Sequence, residues 1–155
     1  MAGSQDYVYV DDLERLLRTV SSIIKRRGRD ILADFDITPP QFNALLILRN
    51  EGKLTIGELG EKMYLACSTA TDLIDRMERN GLVERMRDSN DRRVIRLQVK
   101  DKGTEMHEAV MTARKRYLSS VLEKISVEET KIMIEGMKHL EQLMTDQTLD
   151  SRNDD

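Results

Sequence analysis

Apolar positions recur at helical spacing along most of the chain and switch to alternation only once. Leu13, Leu16, Leu17, Val20, Ile23 and Ile24 repeat every three or four residues, and Ile31 and Leu32 carry the stripe past Gly28. That spacing predicts a long first helix over about 10–34. Its stripe is more than a small core needs, so part of it is expected to meet a partner subunit. Asp36-Ile37-Thr38-Pro39-Pro40 interrupts the pattern, and Thr38 before Pro39 reads as a helix start. The following QFNALLILRN is apolar nearly all round, at Phe42 and from Ala44 to Leu48, which predicts a buried helix ended by Asn50-Glu51-Gly52.

Thr55 and Glu58 form a T-x-x-E capping box, opening a short helix to about Met63 with Ile56, Leu59 and Met63 inward. Tyr64-Leu65-Ala66 reads as the turn. Cys67 or Ser68 begins the next helix, and Asn80-Gly81 closes it. Ala70, Leu73, Ile74 and Met77 lie at i, i+3, i+4 and i+7, so they form its buried stripe. Ser68, Thr69, Thr71, Asp72, Asp75 and Arg76 are left facing out.

From Leu82 to Arg87 the chain reads as a strand, and Ile95, Leu97 and Val99 alternate with Val94, Arg96 and Gln98 as its half-buried partner. The RDSNDRR between them is too long for a minimal hairpin loop and reads as a wing. Asp101 opens a long helix with Met106, Ala109, Val110, Ala113, Tyr117 and Val121. Ser126 and Glu129 make a second capping box before a last helix with Met133, Met137, Leu140 and Met144. The ends, about 1–8 and 148–155, are expected to fray. The pattern is mainly α with a small β-hairpin: a winged helix-turn-helix over 38–99, flanked by dimerisation helices at 10–35 and 101–147, in one domain spanning 1–155.

A chain of 155 residues with 39% hydrophobic and 34% charged residues suits one soluble helical domain. It has no apolar run near the roughly 20 residues that a membrane span needs. The start, MAGSQDYVYVDD, lacks the basic and apolar regions of a secretory signal. A single cysteine, Cys67, allows no internal disulfide and points to a reducing cytoplasm. The net charge of −3 argues mildly against nucleic acid, yet Arg85 to Lys100 holds six basic residues against two acids, a local +4.

The outward face of the Ser68–Asn80 helix is the candidate base reader. Hydroxyls can bond several base edges, and threonine methyls can touch thymine methyls. Ser68, Thr69, Thr71 and Asp72 lie at the end that enters a groove deepest, with Arg76 further along. Asp72 and Asp75 would be repelled by phosphate unless one accepts from a cytosine amine or pairs with an arginine. At the wing, Asp91, Arg92 and Arg93 are the candidate set: an arginine at a hairpin tip can enter a narrow minor groove, and a nearby acid can orient it. Cys67, at a helix start, is read as a small packed residue, with an oxidant-sensing thiol as the alternative. His107 and His139 have no partners at metal-ligand spacing and read as surface or interface residues. No nucleophile–base pair, phosphate loop, metal cluster or cofactor motif suggests an enzyme.

The chain resembles the MarR family of bacterial transcriptional regulators over nearly its whole length. The resemblance rests on Thr38-Pro39-Pro40-Gln41-Phe42, Ser68-Thr69-Ala70-Thr71, Arg79-Asn80-Gly81-Leu82-Val83-Glu84-Arg85 and, most specifically, Asp91-Arg92-Arg93 followed by Val99-Lys100-Asp101-Lys102-Gly103. This matches the family's D-x-R…L-T-x-x-G signature. It departs at Lys100, where the family usually has threonine, with Asp101 placed to take over capping. The resemblance implies that Asp91 orients Arg93 as the wing arginine, with Arg92 beside it. It also implies a homodimer with interleaved terminal helices, a double-stranded operator that is an inverted repeat, and a small-molecule effector site between the dimer helices and the winged unit. Independently, one winged helix reads too few base pairs for specificity, whereas a two-fold protein matches a palindrome with reading helices about 34 Å apart. A repressor is the expected role. A winged-helix module that binds protein instead of DNA is the competing reading.

Overall fold

The computed structural model describes the backbone of residues 5–150 and the side chains of residues 9–147. The expected fraying of 1–8 and 148–155 concerns ends whose side chains lie outside the described residues. Six helices and one hairpin follow in order: α1 (Gln5–Asp34), α2 (Pro39–Glu51), α3 (Ile56–Lys62), α4 (Cys67–Arg79), β1 (Val83–Arg87), β2 (Ile95–Val99), α5 (Asp101–Leu122) and α6 (Val127–Asp150). The chain divides into two compact units, 1–114 and 115–155, with the boundary inside α5. The first helix begins five residues before the expected 10, because its sequence holds no breaker ahead of the apolar stripe.

Each short helix is set by its cap. At Thr38 the hydroxyl accepts from the Gln41 amide (3.4 Å) while the Gln41 side-chain oxygen accepts from the Thr38 amide (3.1 Å). This reciprocal box, not only a threonine cap, starts α2. Thr55 and Glu58 do the same for α3, at 2.8 and 3.1 Å. Ser126 and Glu129 do so for α6, at 2.9 and 3.1 Å. Helix α4 ends in a Schellman motif: the Leu82 amide returns to the Met77 carbonyl and the Gly81 amide to that of Glu78, both at 2.9 Å, with Gly81 at φ 73°. Leu82 is therefore part of the helix stop, which is why β1 starts at Val83.

The core of the first unit is built by Leu45 of α2, Leu59 of α3, Ile74 and Met77 of α4, Val83 and Leu97 of the hairpin and Val110 of α5, all fully buried. Strand β1 pairs antiparallel with β2 from Val83↔Val99 to Arg87↔Ile95. The alternation holds at Leu97, but Ile95 lies at the open end of the ladder and is exposed. The Leu97 amide donates to the Leu54 carbonyl at 2.7 Å, fastening the hairpin to the segment between α2 and α3. Helix α5 starts with the Thr104 amide on the Lys100 carbonyl (3.0 Å), so Lys100 takes the cap position and Asp101 falls in the first turn.

Along α1, Leu13, Leu16, Val20, Ile23 and Ile24 are exposed, and among its described residues only Ile31 and Leu32 are buried. In the second unit Leu118, Val121, Ile132, Met133, Met137, Leu143 and Met144 are likewise exposed.

The Leu82 carbonyl accepts from Lys100 at 2.9 Å, and a Cβ built on Gly103 would stand 2.3 Å from that same oxygen. Only glycine lets the first turn of α5 lie against the end of α4. Gly103→Ala should cost about 1–3 kcal/mol, the range for overpacking a tight contact, read as a lower urea midpoint at unchanged slope.

Candidate nucleic-acid interface

The buried Ala70, Ile74 and Met77 fix the rotation of α4 and turn Ser68, Thr69, Asp72 and Arg76 to solvent. Thr69, Asp72 and Arg76 share one stripe along the helix. Two expected outward residues are less free. Thr71 is half-buried and its hydroxyl donates to the Cys67 carbonyl (2.9 Å), which leaves its methyl and its acceptor lone pairs for a base. Asp75 is half-buried too. The N-cap of α4 is Ala66, which has no side-chain oxygen to give, so the positive end of the helix opens onto solvent. Cys67 is the first residue of that helix and is exposed.

The acids on α4 are answered by one arginine. Arg85 of β1 places Nη2 2.5 Å from Asp75 Oδ1 and bonds Glu78 through Nη1, while its main-chain amide donates to Glu78 Oε1 at 3.3 Å. The hydrogen bond to Asp75, more than any other influence, raises the Arg85 pKa. Asp75 thus pairs with an arginine, one of the two ways a carboxylate can sit near phosphate. The same geometry revises the basic excess of the hairpin. Arg85 and Arg96 are spent on internal partners, so the +4 of Arg85–Lys100 is not all turned outward.

At the hairpin tip, Asp91 and Arg93 form a bidentate pair. Nε lies 3.2 Å from Oδ1 and Nη2 3.4 Å from Oδ2, and the Arg93 amide also donates to Oδ1 at 3.0 Å. These bonds from Arg93, its amide first, lower the Asp91 pKa. The Arg93 side chain is 91% exposed, so the carboxylate aims the guanidinium without burying it. Arg92 stands exposed beside it.

The tip is shaped by two residues that the sequence did not single out for this role. Asp88 accepts from the amides of Asn90 (2.8 Å) and Asp91 (3.1 Å) and from Arg96 Nε. Arg96 in turn donates to the Lys53 carbonyl at 3.1 Å and lies 3.6 Å from Glu58. The spacing D-S-N-D is an Asx-turn signal that could have identified Asp88. The partnership with Arg96 is eight residues away and needed the hairpin register. His107 also departs from expectation. It is half-buried, with its ring stacked on Phe42 at 5.6 Å, and the Arg114 guanidinium lies 4.6 Å from the Phe42 centroid. Burial, and then the charge of Arg49, lower its pKa.

The Arg96 bond, then the amides of Asn90 and Asp91, hold the Asp88 carboxyl at about 2, below its ordinary 3.8. A depressed acid stabilises the fold above its unfolded pKa and ceases to do so as pH falls through its folded pKa. The tip should therefore keep its structure to about pH 4 and lose it towards pH 2. A side-chain carboxyl titration by NMR checks this, and Asp88→Asn should remove that part of the acid dependence.

The MarR family model matches residues 37–95. An uncharacterized HTH-type transcriptional regulator of Bacillus subtilis, YsmB, is 46% identical over 91% of this chain and 97% of its own length. A MarR family protein from Bacillus stearothermophilus superposes with a TM-score of 0.83 at 49% identity, covering 92% of this chain and 99% of its own. At 22% identity the fold extends to a point mutant of S. aureus MepR bound to an oligodeoxyribonucleotide, with a TM-score of 0.68 over 85% of this chain and 97% of that one. No helix among the described residues is long and apolar enough to cross a membrane. With a hairpin wing following a helix-turn-helix and relatives of nearly equal length, this chain belongs to the MarR family of DNA-binding transcriptional regulators.

Proposed function

We propose that the chain acts in the cytoplasm as a homodimeric repressor of a palindromic operator, released by a small-molecule effector. The observation that carries the DNA-binding geometry is the solvent-exposed Arg93 guanidinium held by Asp91 at the wing tip. Ser68, Thr69, Thr71 and Asp72 read base edges in the major groove, Arg76 meets the backbone, and Arg92 and Arg93 reach the flanking minor groove. Repression is the role this arrangement supports, since a dimer seated on two half-sites occludes a promoter that overlaps them.

Dimerisation is supported by the uncovered apolar residues of α1, α5 and α6. Leu16, Val20, Ile132 and Met137 are between 48 and 67% exposed in the single chain, an arrangement that a second copy would bury. The effector site is supported by the Phe42–His107–Arg114 cluster, where His107 Nδ1 and Arg114 Nε are buried without partners among the described residues. A ligand that supplied both partners would bear on α5 beside α2, and a shift of the dimer helices would misalign the reading helices.

Two measurements test this. Arg93→Ala should weaken binding to an operator selected from genomic fragments by about five- to 150-fold, because one well-placed arginine contact contributes about 1–3 kcal/mol. An unchanged affinity would favour the protein-binding module, for which the exposed Asp72 on the reading stripe is the supporting feature. Sedimentation should give a dimer at micromolar concentration, and Leu16→Glu with Met137→Glu should give a folded monomer that has lost operator affinity. A wild-type monomer that still binds the operator would reject the two-fold arrangement.

A further inference from the structure

Gln41 is 6% exposed and its carbonyl oxygen is committed to the Thr38 amide. Because that partner is a donor, the side-chain orientation is fixed, and the NH2 group points away from the cap. No residue of the chain among those described accepts from it. Gln41 lines a cavity of about 350 Å³, open to solvent, together with Arg76, Arg79 and Asn80 of α4 and its cap. No carboxylate among the described residues lines this cavity. Arg76 and Arg79 have no ion pair among the described residues; Arg79 Nε donates only to the Asp75 carbonyl, at 3.3 Å. The acids nearest in sequence, Asp75 and Glu78, are both engaged by Arg85.

Two arginines without ion pairs and a buried glutamine lining one open cavity make a site for a tetrahedral oxyanion. Its position argues for the source. Arg76 and Arg79 continue the exposed stripe of Thr69 and Asp72, and the eleven rises from Ser68 to Arg79 span about 16 Å of helix. The major groove is about 12 Å wide. A helix inserted by its Ser68 end therefore brings its Arg79 end against the bordering strand. We propose that this cavity clamps one backbone phosphate of the bound DNA, with Arg76 and Arg79 as the charged jaws and Gln41 as the buried donor that fixes its place. Arg85 is a positioning residue here, keeping the two arginines free by holding Asp75 and Glu78. The inference rests on the DNA-reading role of α4 and adds a contact that anchors the duplex without reading its sequence.

Gln41→Glu separates this role from folding. A glutamate retains the oxygen that accepts from Thr38, so the capping box and the thermal midpoint should be kept, while the NH2 donor becomes an acceptor that repels phosphate. Arg79→Ala is the companion variant, at an exposed position. Affinity should be measured for full-length protein on an operator duplex and on a scrambled duplex, from 50 to 200 mM salt. Both variants should weaken the two duplexes by similar factors, and Arg79→Ala should flatten the log–log salt slope by about 0.9 per protomer, one phosphate's worth. A duplex carrying a single neutral methylphosphonate at the contacted position should bind wild type less well and Arg79→Ala no worse than the unmodified duplex does.

Unchanged affinity and slope in both variants would overturn the clamp, and so would a loss confined to the operator, which would make these residues base readers. Inorganic phosphate is the remaining control. If it shifts the Gln41 side-chain amide resonance at matched ionic strength while the DNA salt slope stays as in wild type, the cavity holds a free anion and the clamp is wrong. Failure of wild type to bind any duplex would instead reject the DNA-reading role itself, and Arg93→Ala distinguishes the two, because it weakens binding with the cavity intact.

Discussion

The wing depends on one guanidinium. Arg96 stands on the second strand of the hairpin and reaches three ways, to Asp88 at the tip, to Glu58 at the start of α3 and to the Lys53 carbonyl between α2 and α3. A two-stranded ribbon has little stability of its own, and here it is fastened at both ends. Leu97 donates to Leu54 beneath it, and Arg96 locks its tip through Asp88. The turn that presents Asp91 and Arg93 is thus referenced to the same helical body that carries the reading helix. Without that reference the Asp91–Arg93 pair would still form, but it would point nowhere in particular.

Charge on this molecule is sorted by partner more than by total. The chain carries a net −3, and its reading helix carries Asp72, Asp75 and Glu78. Arg85 cancels two of these, which leaves Arg76 and Arg79 outward without an ion pair among the described residues. An acidic protein thereby keeps a usable basic edge where it needs one. The wing repeats the arrangement on a smaller scale, with Arg96 turned inward and Arg92 and Arg93 turned out.

Much of the fold was legible because it rests on local signals. The capping boxes at Thr55 and Ser126, the Asn80-Gly81 stop and the Ala70–Ile74–Met77 stripe each predict an element and its buried face. The two strands of the hairpin could be read in the same way from their alternation. What the sequence hid depends on distance. Arg85 was counted as outward charge because its acids lie on the preceding helix and meet it only after the Schellman turn. Gln41 read as part of a family motif, although its burial and its bond to Thr38 are what give it a direction. The stacking of His107 on Phe42 joins residues 65 positions apart, which no periodicity announces. Gly103 matched a signature, and only the Leu82 carbonyl supplies its reason.

The missing cap at Ala66 has a cost that the free protein carries. A serine, threonine or aspartate there would stabilise the helix by about 1 kcal/mol, and the chain declines it at the start of the helix proposed to read DNA. The first amides of α4 stay open, so an oxyanion or a base edge can complete the helix from outside. The folded protein is in this sense an unfinished structure whose last hydrogen bonds are left to its ligand. Tight packing around Gly103 and three-way anchoring of Arg96 supply the rigidity that makes such an omission tolerable.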